Sequence, residues 1–289
     1  MIQKRLRVLV LGANGMAGNA VFRFFSNSLG FETFGTVRSS VGLESFSQVD
    51  RERLFRNIDV ENTDSLVGVF ALSKPDIVIN CIGVIKQLSE ATNPLLAIPL
   101  NALFPHRVAE LCKLVGARMI HLSTDCVFSG KKGMYTEADI PDAKDLYGLS
   151  KYLGEVDYSH AITLRTSIIG HELNGSRSLV GWFLSQTNTV KGFRLALFSG
   201  LPTVEIARII RDYVIPHFEL HGLYHVSSEP INKYDLLKLL SQAYHKIIDI
   251  QSDDQLVIDR SLDSTRFREA TGYVAPKWPE LIRLMSSFK

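Results

Sequence analysis

The stretch Arg7-Val8-Leu9-Val10-Leu11-Gly12-Ala13-Asn14-Gly15-Met16-Ala17-Gly18 runs from an apolar, partly β-branched segment into a glycine-rich turn. An apolar run without polar alternation reads as a strand buried on both faces, the situation of a parallel sheet. Beyond the turn, Val21, Phe22, Phe25 and Leu29 fall on one helical stripe, and Gly30 stands where a C-cap is expected. In the turn itself, Gly12 makes the bend, Gly15 lets a pyrophosphate approach the backbone, and Gly18 lets the helix pack closely on the strand. The first helical amides then face the anion. The spacing is G-x-x-G-x-x-G, one residue off the G-x-G-x-x-G fingerprint, and in isolation a generic strand-to-helix turn would look the same. The strand before it and the helix after it favour a dinucleotide.

Working outward, Thr33–Val37, Asp76–Cys81, Arg118–Ser123 and Ala161–Ile169 read as strands. Asn62–Ser73, Leu100–Gly116 and Asp145–Tyr158 read as the helices between them. Parallel strands need helical crossovers, so this alternation predicts an α/β protein with a Rossmann-type doubly wound parallel sheet. After residue 170 the pattern loosens, with a helix expected over Val204–Phe218, a strand over Gly222–Ser227 and a helix within Pro230–Ile248. The expected division is a cofactor-binding domain over 1–170, to which 204–228 returns. A smaller, partly interleaved substrate-binding domain then occupies most of 171–289.

Composition sets the outer limits. The 289 residues are 46% hydrophobic and 21% charged, with a net charge of +2. So even a balance creates no field for nucleic acid. No apolar run approaches the roughly 18 residues of a membrane span. The apolar stretch Val8–Leu11 is too short for an export signal. Cys81, Cys112 and Cys126 are odd in number and lack C-x-x-C spacing, which supports neither a disulfide framework nor a zinc site. A reduced, soluble, cytoplasmic protein is expected. His217, His221 and His225 recur every four residues, but Pro216 and Gly222 bracket the first pair and deny them one helical face, so no metal is expected.

Two places carry chemistry. An acidic residue about 20 positions past the glycine turn would hold an adenosine ribose 2′-hydroxyl; here Arg38 stands there, followed by Ser39. A guanidinium with a hydroxyl beside it suits a 2′-phosphate, which points to NADPH. Asp59, with Val60 after it, is placed to meet the adenine amino group. The second place is Tyr147 and Lys151, four apart and therefore on one helix face. Upstream, His121-Leu122-Ser123-Thr124-Asp125 ends a strand in hydroxyls at the carboxyl edge of the sheet, where open α/β folds bind ligands.

These segments together resemble the extended short-chain dehydrogenase/reductase family, and within it the dTDP-4-dehydrorhamnose reductases. Gly12–Gly18, with Asn14 and Met16 inside it, is similar to the family's cofactor loop. Asn80-Cys81-Ile82-Gly83 corresponds to the loop that lies along the cofactor. Ser123–Gly130 resembles S-T-D-Y-V-F-D-G, Tyr147–Glu155 resembles Y-G-x-S-K-x-x-G-E, and Leu164–Ser167 matches L-R-T-S. The resemblance implies that Thr124 polarises a substrate carbonyl, Tyr147 is the general acid and Lys151 its electrostatic partner and ribose ligand. It places Asp125, Cys126, Thr166 and Pro202 toward the substrate, with Arg260 as the candidate for a diphosphate. A neighbouring ammonium and an oxidised nicotinamide are expected to lower the Tyr147 pKa from its ordinary ~10.

Some positions depart from that pattern. Cys126 replaces an aromatic residue, and Ile168-Ile169-Gly170 stands where Trp-Val-Tyr is usual, so the sugar is open. Lys86 could reach substrate, Asn101 reads as structural, and Trp182 and Trp278 read as core. The implied function is NADPH-dependent reduction of a dTDP- or UDP-linked 4-keto-6-deoxy sugar, supplying a deoxysugar for surface polysaccharide. The alternatives are a nucleotide-sugar epimerase or reductase–epimerase and, from another class, a non-catalytic cofactor-binding regulatory subunit. A homodimer is the commonest arrangement for such enzymes, though no interface is legible.

Overall fold

β1 (Leu6–Leu11) lies in the middle of the sheet, with its last four residues fully buried. Its side chains alternate between two cores. Val8 and Val10 enter the larger one, with Phe22 and Phe25 of helix α1 (Met16–Ser26). Leu9 and Leu11 enter the other, with Leu66, Phe70, Val108 and Cys112. Both faces are thus covered by helices, which explains why the strand has no polar alternation. The computed structural model describes residues 5–40, 42–85, 89–173 and 175–288.

Around β1 the sheet adds β2 (Phe31–Thr36), β3 (Leu54–Phe55), β4 (Ile77–Asn80), β5 (Arg118–Thr124), β6 (Ala161–Thr166) and the strand Gly222–His225. Their order is Gly222–His225, β6, β5, β4, β1, β2, β3, and every pairing is parallel. The chain progresses one way through β2 and β3 and the other way through β4 to β6. The switch point therefore falls between β1 and β4, where such sheets open a crevice at their carboxyl ends. Smaller sheets in the C-terminal part join Ile231–Asn232, Ala196–Phe198 and Ile258–Asp259, and pair Val190–Phe193 with Ile250–Asp253.

Several boundaries differ from expectation. α1 stops at Ser26 because Asn27 takes over as cap, its backbone N–H and its Nδ2 both donating to Arg23 O. Leu29 consequently leaves the apolar stripe and is 97% exposed, and Gly30 (φ +86°) turns the chain into β2 rather than capping the helix. The helix expected over Asp145–Tyr158 is only Leu146–Leu153: Asp145 caps it, accepting from Gly148 N–H at 2.8 Å, and the chain turns away at Gly154. A Cβ on Gly154 would run into the Asn101 carbonyl, so this turn presses against the neighbouring helical segment. The strand expected over Ala161–Ile169 breaks at Ser167; Ile168–Ile169 leaves the sheet to pair with Leu201–Pro202. The helix expected over Val204–Phe218 is Thr203–Ile209 followed by a π segment, Ile210–Val214.

Among the described residues, no helix is long and apolar enough to cross a membrane. Cys81, Cys112 and Cys126 form no disulfide.

Candidate active site

At the end of β1, Gly12 adopts φ +82°, and its N–H donates to Thr36 Oγ1 at 3.1 Å while its carbonyl accepts from Gly15 N–H at 3.0 Å. Only glycine reaches this conformation without strain. A Cβ on Gly18 would collide with the Gly12 carbonyl, so the helix approaches the turn as closely as a missing side chain allows. Asn14, Gly15 and Met16 form one wall of a cleft of about 470 Å³. Residues 81–85, after β4, form the next wall, and residues 122–126, with Tyr147 and Lys151, form the third. Thr166, residues 167–168, Glu172, Leu173 and Ser178 complete it. The glycine turn and the Tyr–Lys helix thus meet across the switch point. The cradle fits a pyrophosphate: a glycine turn that runs into a helix N-terminus, whose backbone amides bind anions.

Lys151 is 5% exposed, and its Nζ donates to Leu122 O at 2.8 Å. Burial lowers its pKa to about 8, opposed by the charge of Glu155 and by Cys81. Cys81 is itself pushed up to about 12 by burial, against the pull of Lys151. Asn101 braces this corner. Its Oδ1 accepts from Val84 N–H at 2.8 Å, and its Nδ2 donates to Ser150 Oγ at 3.2 Å, tying the loop after β4 to the Lys151 helix.

Thr124 closes β5. Its Oγ1 accepts from Cys126 N–H at 3.1 Å and donates to Asp125 Oδ1 at 3.2 Å. The Tyr147 phenol lines the same cleft as this hydroxyl. The expected depression of the Tyr147 pKa is not found. Burial raises it, the facing Cys126 and Asp125 add to the rise, and only the Thr124 hydrogen bond opposes it. The lysine charge expected to lower it is turned to the Leu122 carbonyl and toward Glu155. Tyr147 therefore stays protonated, the form a proton donor needs.

Behind β5 and β6 stands a buried polar network. Glu155 Oε1 accepts from Ser123 Oγ at 2.6 Å and from Arg165 Nε at 2.8 Å, and Oε2 accepts from Arg165 Nη2 at 2.5 Å. Arg165 Nη1 donates to His225 Nε2 at 2.9 Å, and His225 Nδ1 donates to Tyr135 O at 2.9 Å. The Arg165 guanidinium lies 5.0 Å from the Phe128 ring centre. His225 is thus consumed by the sheet, its pKa lowered to about 4 by burial and by the Arg165 charge. His217 sits elsewhere, bonded to Tyr213 O.

The other sequence-derived positions divide. Arg38 and Asp59 are exposed, Ser39 and Val60 half-buried, and none lines the cleft. Ile58 N–H donates to Val37 O at 3.1 Å, which brings Arg38 and Asp59 onto adjacent segments beyond β2 and β3. Asp125 is buried, and its pKa is raised by that burial against the opposing charges of Arg260 and Lys233. Arg260 is half-buried and donates through Nε to Phe128 O at 2.8 Å. Pro202 is buried at the start of the helix Thr203–Ile209 and does not line the cleft: its pairing with Ile169 turns it into the core. Trp278 is core, packed on Phe198, with its indole N–H on Glu229 O; Trp182 packs half-buried on the same core. Lys86 lies outside the described residues. Lys233, by contrast, carries no sequence signal. It is the first residue of the helix Lys233–Ala243, 4.4 Å over the Phe198 ring, and its charge acts on Asp125 and Cys126.

The model of a protein family described as "RmlD substrate binding domain" matches residues 6–254. The chain belongs to this family. Among its relatives, the zebrafish (Danio rerio) methionine adenosyltransferase 2 subunit beta is 27% identical over 260 residues, 83% of this chain and 74% of that one. The dTDP-4-dehydrorhamnose reductase of Streptomyces griseus is 28% identical over 152 residues, 52% of this chain and 44% of that enzyme; the match spans less than half of that relative's length. The crystal structure of dTDP-4-dehydrorhamnose reductase from Bacillus anthracis str. Ames, in complex with NADP, superposes with a TM-score of 0.77 at 20% identity, covering 97% of this chain and 98% of that one. At that identity the RmlD-family likeness to a solved structure is one of fold.

Proposed function

We propose that the chain is an NADPH-dependent reductase of a nucleotide-linked 4-keto-6-deoxy sugar, serving deoxysugar supply for a surface polysaccharide. The observation that carries this reading is that Thr124, Tyr147 and Lys151 converge on a cleft whose opposite wall is the glycine turn. Residues 12–18, 81–83 and Lys151 would hold the dinucleotide, with Arg38 and Ser39 for the 2′-phosphate and Asp59 and Val60 for the adenine. When bound, the nicotinamide supplies the hydride that reduces the ketone carbon. Thr124 holds the carbonyl oxygen by hydrogen bonding, and Tyr147 gives its proton to that oxygen as the C=O bond becomes C–O–H. Lys151, anchored on Leu122 O, holds the ribose and supplies positive charge beside the phenol. Asp125, Cys126, Thr166, Arg260 and Lys233 face the sugar nucleotide, and 171–289, less the returning 204–228, forms the substrate-holding part.

The test is NADPH consumption against a panel of dTDP- and UDP-linked 4-keto-6-deoxy sugars. Turnover with one member, reduced about 10²–10⁴-fold in Tyr147→Phe with cofactor affinity retained, supports the reading. Near-normal turnover in that variant refutes the role of Tyr147. A second reading, a cofactor-binding subunit without turnover, is favoured by the likeness to the zebrafish beta subunit over 83% of this chain. NADPH binding without consumption of any panel member would move that reading ahead.

A further inference from the structure

Cys126 and Ile168, the two positions where this chain has a smaller side chain in place of an aromatic one, meet in the cleft. Thr124 at the end of β5 is the register partner of Thr166 at the end of β6. Cys126 and Ile168, each two residues further on, therefore follow neighbouring strands out of the sheet. Both are half-buried, and both line the cleft with Thr124 and Tyr147. Among the described residues of the lining, Tyr147 is the one aromatic, so no ring from another element refills the space. Gly170, the next position where an aromatic is usual, has no room for a side chain, since a Cβ there would run into Thr203.

What borders that space decides what it takes. Ile168 and Leu173 are aliphatic, Cys126 is a thiol, and Ile85, 42% exposed, adds an apolar side chain to the same lining. Thr166 Oγ1 gives its proton to Ser167 O at 3.2 Å, which leaves the hydroxyl oxygen to accept. Glu172, whose Oε2 accepts from Ser178 N–H at 2.8 Å, puts a carboxylate in the lining and opposes an anionic substituent. A donor N–H carried beside a small apolar body, without charge, is an acylamino group. We infer that the cleft takes a 4-keto-6-deoxy hexose whose ring bears an acylamino group, its N–H on Thr166 and its acyl methyl against Cys126 and Ile168. The inference rests on the reductase reading above and names its substrate class; the amide is a spectator to the reduction.

The probes are UDP-2-acetamido-2,6-dideoxy-xylo-hexos-4-ulose and UDP-6-deoxy-xylo-hexos-4-ulose, which differ only in N-acetyl against hydroxyl. The full chain is assayed for kcat/KM by NADPH oxidation, and for affinity by calorimetry with NADP, where no reduction can follow. The acetamido sugar is expected to lead by roughly 10–200-fold in both, the margin that a small increment of apolar fit provides. Cys126→Tyr and Ile168→Trp, which put back the rings, should each cut that preference about tenfold. Thr166→Val, which keeps the shape and removes the acceptor, should cut it about fivefold. The preference is a ratio within each variant, so a general loss of activity does not enter it. Equal or weaker handling of the acetamido sugar, binding of neither sugar, or a preference unmoved by all three substitutions would overturn the inference. Reduction of the hydroxy sugar alone would do so while sustaining the reductase reading. Tighter binding of the acetamido sugar with reduction of neither would sustain the ligand class and overturn the reductase reading instead.

Discussion

The two sides of the cleft are built from different materials. The glycine-turn side is backbone: one strand, one turn and one helix start, continuous over Leu6–Ser26, with glycines where side chains would intrude. The facing side is side chains drawn from separate segments: Asp125 and Cys126 after β5, Tyr147 and Lys151 on the helix Leu146–Leu153, and Thr166 at the end of β6. A backbone cradle tolerates no added atom but carries no residue identity. A side-chain wall can be edited one position at a time.

The buried network behind β5 and β6, which backs the side-chain wall, offers the largest effect. Arg165 is 1% exposed with Glu155 as its counter-ion, so Glu155→Ala leaves a buried charge alone. A loss of about 3–5 kcal/mol is expected in urea unfolding; a loss below 1 kcal/mol would mean the side-chain wall does not depend on this ion pair. Next comes acid. His225 has its folded pKa near 4 against an unfolded 6.5. Between those values the unfolded chain binds more protons, so stability falls as pH drops from 6.5 toward 4, by up to about 3 kcal/mol. Unfolding midpoints at pH 7 and pH 4.5, compared in parent and His225→Gln, measure that share.

Gly18→Ala probes the backbone side. The added methyl meets the Gly12 carbonyl, and overpacking of this kind costs about 1–3 kcal/mol. Nicotinamide affinity should fall roughly ten- to a hundredfold, while any binding of free dTDP is unchanged. The smallest effects form a crossed pair. Arg38→Ala should shift the NADPH/NADH preference by about tenfold and leave the sugar KM alone; Lys233→Gln should raise the sugar KM by about tenfold and leave the cofactor preference alone. If either variant moved the other's parameter, the division of the cleft would be broken.

This difference in material also decides what could be read from sequence. The glycine turn, Tyr147 with Lys151 and the hydroxyl end of β5 are local patterns, so their meeting followed once strands and helices were placed. Leu29 and Gly30 misled because Asn27 ends the helix early through a side-chain bond that apolar spacing does not register. The break at Ser167 and the inward turn of Pro202 depend on a pairing between distant segments. Lys233 has no local signature: it comes beside Asp125 and Phe198 only when its helix start is set there by the assembled fold. The rise in the Tyr147 pKa was hidden for a similar reason, since burial is a property of the assembled cleft.

The seventh strand, Gly222–His225, pairs with β6 across a long stretch of chain. On the ribosome, β6 is therefore made well before its outer neighbour exists. All six of its residues are buried in the finished molecule, so in the interval it presents an apolar edge with unpaired amides, the kind of template on which chains aggregate. Nascent chains halted short of residue 222 should behave as chaperone clients rather than as free-standing nucleotide-binding modules, and the C-terminal part of the protein serves as the guard that completes its oldest-made half.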